Sequence, residues 1–142
     1  SLKSLTVYLL GDLDECSTSN VKLILDKLLY DNLNVENVVF DLSGLSFMDS
    51  TGVGLLIGRY KKLKQFNIPS YISGASLSTE KVIELAPDYP YAYYSLALTY
   101  ELKEMPEKAI EYYVLYTGIE SDEKMLKIVK EKIKELEDGI KK

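Results

Sequence analysis

Leu45-Ser46-Phe47-Met48-Asp49-Ser50-Thr51-Gly52-Val53-Gly54 places a pair of hydroxyls between an acid and a glycine, at a point where one pattern of hydrophobicity hands over to another. Upstream, Val35, Val38, Val39, Phe40 and Leu42 make a short apolar run rich in β-branched residues and closed by Ser43-Gly44, which predicts a buried strand. Downstream, Val53, Leu56, Ile57, Tyr60 and Leu63 recur at helical spacing. They predict a helix over about residues 50–64, with Ser50 at its N-cap or in its first turn. Backbone N–H groups there lack intrahelical partners and the helix dipole favours negative charge. A phosphate on Ser50 would therefore be tolerated by the fold while adding close to two negative charges beside Asp49.

Ser50, Gly54 and Gly58 stand four residues apart, so they share one helix face that is almost free of side chains. Spacing alone leaves two readings of that face. The glycines let the helix lie tight on a sheet or a neighbouring helix, with Ser50 a simple cap, or a partner's backbone approaches there.

Working outward, Leu5-Thr6-Val7-Tyr8-Leu9-Leu10 predicts a strand ended by Gly11, and Ser17, Thr18 and Ser19 offer caps for a helix striped with Val21, Ile24, Leu25, Leu28 and Leu29. Asp31-Asn32 breaks it. Pro69 to Ser73 predicts a third strand, and a helix follows over about 78–85. Strands alternating with helices imply an α/β fold, a mostly parallel sheet with crossover helices.

The segment LSFMDSTGVGLLIGRYKKLK, Leu45 to Lys64, closely resembles the central motif of the anti-sigma factor antagonists of the STAS-domain family. Gly11-Asp12-Leu13-Asp14 resembles that family's Gly-Glu-Leu-Asp at a strand end, with Asp12 in place of the usual Glu, and the resemblance covers roughly residues 5–85. It implies that Ser50 is the phosphoacceptor, with Thr51 the alternative, and that Asp14 and Asp49 are the flanking acids. It also implies the mechanism: the unphosphorylated protein binds an anti-sigma factor that carries serine kinase activity, releasing sigma, and phosphorylation of Ser50 by that kinase ends the interaction. Asp14, Asp49, Gly54 and Gly58 would then form the partner surface. The same pattern implies a strand before Leu5 and a strand and helix after Leu85, so a domain over residues 1–86 would be shortened at both ends.

Beyond Pro87 the composition shifts. Eight of the twelve tyrosines lie between Tyr89 and Tyr116, and no β-rich run remains. Tyr93, Leu96, Ala97 and Tyr100, followed by Ala109 and Tyr113, resemble the signature of a tetratricopeptide repeat. Tyr116 stands where that repeat usually has a small residue, and Ser121 where its closing proline would fall. Helices are predicted over about 91–102 and 106–117, with Pro106 at a first helical position and Gly118 past the end. A last amphipathic helix over 122–138, with Met125, Val129, Ile133 and Leu136 on one side, would end at Gly139 and cap the hairpin. One repeat cannot cover its own apolar face, since such units are stable only when stacked. The expected organisation is thus a STAS-like unit over 1–86 and a helical hairpin with a capping helix over 87–142, sharing the helix at 78–85. Tyr91, Tyr94, Tyr112 and Tyr116 would serve as repeat core or, in a second reading, line a peptide groove.

Composition narrows the function. Seventeen basic and 22 acidic side chains leave a net charge of −5 with no basic stripe, which argues against direct nucleic-acid binding. There is no histidine and a single cysteine, Cys16, so no metal site, cofactor or catalytic base for Ser50 is expected, nor an enzyme. Without a signal peptide or an apolar run of about 18 residues, a soluble cytoplasmic protein with no membrane partner is expected. A second copy covering exposed aromatic surface or an unpaired sheet edge would make a homodimer. The alternative to a switched regulator is a protein-interaction scaffold or adaptor, or a recombined or engineered chimera in which the motif is inherited without regulatory activity.

Overall fold

The computed structural model describes residues 3–74 and 76–142. Among the described residues three strands alternate with three helices and three more helices follow: β1 (Ser4–Leu13), α1 (Thr18–Tyr30), β2 (Asn37–Met48), α2 (Ser50–Gln65), β3 (Ser70–Ser73), α3 (Ser76–Leu85), α4 (Pro90–Leu102), α5 (Pro106–Ile119) and α6 (Glu123–Ile140). Among the described residues the sheet is wholly parallel in the order β1-β2-β3, as alternating strands and crossover helices require. Val38, Phe40 and Leu42 of the central strand are fully buried. An ion pair of 2.5 Å between Arg59 and Asp26 ties α2 to α1.

Ser43-Gly44 does not end the second strand, contrary to the expectation from its composition. Asp41 Oδ1 accepts hydrogen bonds from both the Ser43 N–H, at 2.9 Å, and the Ser43 hydroxyl, and the pairing with β1 slips at this point before β2 continues to Met48. These bonds, the hydroxyl's first, hold the Asp41 carboxyl below its ordinary pKa, burial opposes them, and the Ser73 hydroxyl adds a smaller lowering. Close by, Gly74 has φ +108°, and a Cβ on it would lie 2.4 Å from the Ser43 nitrogen, so the turn out of β3 admits only glycine.

Two helix ends also differ from expectation. Gly118 and Gly139 lie inside α5 and α6, one residue before the end of each. A glycine stops a helix by taking positive φ, and neither glycine is among the positive-φ residues. Asp122 caps α6, accepting from Lys124 N–H at 3.0 Å and Met125 N–H at 3.4 Å.

The helical half packs directly on the sheet. Where the family pattern implies a further strand and helix after Leu85, the structure has helices, and α4 lies against β3: the Ile72 N–H donates to Ser95 Oγ at 3.2 Å, the Ser95 hydroxyl donates back to the Ile72 carbonyl, and the Tyr89 hydroxyl donates to the Ser70 carbonyl at 3.3 Å. Helix α3 touches both α2 and α4. A chain of tyrosines runs through the junction, from Tyr60 on α2 to Tyr89 and Tyr91, from Tyr71 on β3 to Tyr91 and Tyr94, and onward to Tyr113 and Tyr116 on α5. Tyr91 and Tyr116 are buried in the core, while Tyr94 and Tyr112 are half-buried at its margin, with Tyr112 stacked on Tyr100 at 5.5 Å. The bulk of Tyr116, unusual for its repeat position, is what reaches Tyr91 and Tyr94, while its hydroxyl donates to Glu120 at 2.8 Å. On the far side, Val129 of α6 is buried and Lys132 pairs with Glu101 of α4 at 3.1 Å. At the opposite flank of the sheet, β1 leaves Tyr8 and Leu10 68% and 78% exposed. No helix among the described residues is long and apolar enough to cross a membrane.

Candidate functional site

The end of β1 and the start of α2 meet through Asp49. Its backbone N–H donates to the Leu13 carbonyl at 3.2 Å, its Oδ2 accepts from Glu15 N–H at 3.2 Å, and its Oδ1 accepts from Gly52 N–H at 3.0 Å. Asp49 is therefore the N-cap of α2, and Ser50 is the first helical residue. Asp14 organises the neighbouring turn: its Oδ1 accepts from Cys16 N–H at 2.9 Å and Ser17 N–H at 3.0 Å, and its carbonyl accepts the Thr18 hydroxyl. Ser17 stands at the N-cap position of α1, but its hydroxyl reaches back to the Asp12 carbonyl at 2.7 Å and leaves the helix uncapped by a side chain. Both flanking acids thus shape the loops that present Ser50, and both remain partly accessible.

Ser50 and Thr51 are exposed. Gly54 and Gly58 face open space, since a Cβ built on either would meet nothing within 4 Å. That outcome removes the tight-packing reading of this face. The close-approach glycine is Gly52, whose added Cβ would fall 2.4 Å from the Leu13 carbonyl oxygen and 2.9 Å from Met48 Cγ. Periodicity could not single it out, although its place three residues after the N-cap acid, where helix and strand end must touch, is a usable signal. Ser50, Val53, Gly54, Ile57, Gly58 and Lys61 form one wall and floor of an open groove of ≈ 510 Å³, and the turn from Leu85 to Asp88 between α3 and α4 forms the other wall. The contribution of that turn was not legible from the motif.

An acid-capped helix that starts at the carboxyl end of a parallel strand, with an exposed hydroxyl and bare glycines beside it, places the candidate site on the surface of an α/β domain. The STAS domain family matches residues 4–87, and the chain belongs to it. A tetratricopeptide repeat matches residues 79–111, so both matches include most of α3. The anti-sigma F factor antagonist of Lysinibacillus sphaericus is 27% identical over 84 residues, 59% of this chain and 71% of that protein. The anti-sigma F factor antagonist of Paenibacillus polymyxa is 38% identical over 61 residues, 43% of this chain and 51% of that protein, so the chain spans about half of its length. Among solved structures, the anti-sigma factor antagonist SpoIIAA in its unphosphorylated form is 24% identical with a TM-score of 0.48, over 61% of this chain and 77% of the other.

Proposed function

We propose that this protein is an anti-sigma factor antagonist. In its unphosphorylated form it binds an anti-sigma factor with serine kinase activity through Asp14, Asp49 and the face that carries Ser50, Gly54 and Gly58, and phosphorylation of Ser50 ends the interaction. Thr51 is the alternative acceptor. The observation that carries this reading is the placement of Ser50: an exposed hydroxyl on the first residue of α2, at the rim of an open groove floored by glycine. A phosphate there adds about −1.5 to −2 charges next to the Asp49 carboxylate and changes the docking face without touching the core. The protein acts by binding rather than by catalysis.

Incubation with an anti-sigma factor kinase and ATP, followed by mapping of the phosphate, tests the proposal. Incorporation at Ser50 that disappears in Ser50→Ala, together with loss of binding in Ser50→Asp, is the expected result. Phosphate at neither Ser50 nor Thr51 would remove the switch.

A further inference from the structure

Resting on that reading of the Ser50 face, we infer that the turn from Leu85 to Asp88, which straddles the end of the STAS match and lies within the tetratricopeptide match, is the second half of the docking surface, so that the helical segment holding this turn takes part in reading the partner. The occupant is a helix of the anti-sigma factor, presenting an apolar ridge to the groove, a basic residue to Asp88 and an acidic residue to Lys61. Four observations carry this.

The stretch of α2 along the groove, from Ser50 to Lys61, spans about 16 Å at 1.5 Å per residue, which accommodates some three turns of a second helix. Its floor at Gly54 and Gly58 has no side chain to hold a partner away. Its far wall is apolar and exposed where a partner would meet it, with Leu85 46% exposed and Pro87 exposed beside it. Its rim carries one charge of each sign, Lys61 on α2 and Asp88 on the turn, which selects a partner of complementary polarity and fixes its direction along the groove.

The helical half braces the far wall. The Tyr93 hydroxyl of α4 donates to the Pro87 carbonyl at 2.7 Å, Tyr89 N–H donates to the Ala86 carbonyl at 3.1 Å, and Val82 and Tyr89 on either side are buried. A preorganised wall loses little entropy on binding, so its contacts count toward affinity. The helical half therefore supplies part of the recognition surface by positioning Leu85 and Asp88.

The test measures binding of the full chain to the purified anti-sigma factor of the organism that encodes it by calorimetry, for wild type, Leu85→Glu, Asp88→Lys and Ser50→Asp, with thermal unfolding of each variant alongside. Leu85→Glu should weaken binding more than tenfold and Asp88→Lys several-fold, more so at low salt, with unfolding midpoints like wild type because both side chains are exposed. Wild-type affinity in both turn variants while Ser50→Asp abolishes binding overturns this inference and leaves the functional reading standing. Failure of the wild-type chain to bind, or binding that Ser50→Asp leaves intact, overturns the functional reading and this inference with it. Should Leu85→Glu instead dissolve a dimer seen by ultracentrifugation without changing affinity for the anti-sigma factor, the groove belongs to a second copy and the inference is wrong.

Discussion

Ser95 on α4 does for Ile72 what a neighbouring strand would do: its hydroxyl accepts the Ile72 N–H at 3.2 Å and donates to the Ile72 carbonyl, closing the outer edge of β3 from a helix. One side chain that both accepts and donates satisfies both polar groups of a buried edge residue, which is how an all-helical segment can follow a three-stranded sheet. Ser95→Ala would leave a buried N–H and a buried C=O without partners. A loss of about 1–3 kcal/mol of stability is expected, read as a lower urea midpoint with little change in slope.

The two kinds of glycine in the motif should separate stability from recognition. Gly52→Ala forces a Cβ against the Leu13 carbonyl and Met48, and a cost of about 1–3 kcal/mol is expected. Gly54→Ala meets open space in an exposed helix position and should be neutral or stabilising by up to about 1 kcal/mol. If the proposed docking face is right, the second substitution nevertheless weakens anti-sigma factor binding. Paired denaturation and binding measurements on the two variants distinguish these effects.

The tyrosine chain should make the protein sensitive to alkali. Burial is the main cause that raises the Tyr89, Tyr91, Tyr113 and Tyr116 phenols above their ordinary value of 10.0, and Glu101 and Glu120 raise Tyr113 and Tyr116 further as hydrogen-bond acceptors. A group whose folded pKa is raised contributes its full stabilisation below the unfolded pKa and loses it as pH climbs above that value. Stability should therefore hold steady below pH 10 with respect to these groups and fall above it. The part of the phenolate absorbance that comes from these four buried phenols should rise together with the loss of helical circular dichroism, rather than before it.

Because the tyrosine chain and the Ser95 contact both cross the junction near residue 87, the STAS-like and helical segments should unfold together. Coincident transitions by far-ultraviolet circular dichroism and by tyrosine fluorescence are expected for the whole chain. Two separated transitions would show that the halves are merely tethered. Removal of residues 87–142 should leave β3 with a bare edge and expose Tyr60 and Tyr71, giving a product that aggregates in a scattering assay.

Much of this architecture is written in local pattern. Val38, Phe40 and Leu42 announced the central strand, the spacing from Val53 to Leu63 announced α2, and the aromatic and small residues at 93, 96, 97, 100, 109 and 113 announced the helical hairpin, because burial periodicity survives in one dimension. Boundaries were less legible. The second strand outlasts Ser43-Gly44 because Asp41 stabilises a slip in its pairing, and α5 and α6 run through their glycines because those residues keep helical backbone angles. Neither effect has a periodic signature.

The candidate site divides in the same way. The sequence by itself determined that an acid and two hydroxyls sit at a helix start with two bare glycines below them, since those positions follow from 3.6 residues per turn. Only the tertiary structure decided which glycine packs and which stay open, that Asp14 and Asp49 hold the loops around Ser50, and that a turn more than thirty residues away forms the opposite wall of the groove. Such facts depend on which surfaces the chain brings together when α4 seals the edge of β3, and proximity of that kind is created by packing rather than by order along the chain.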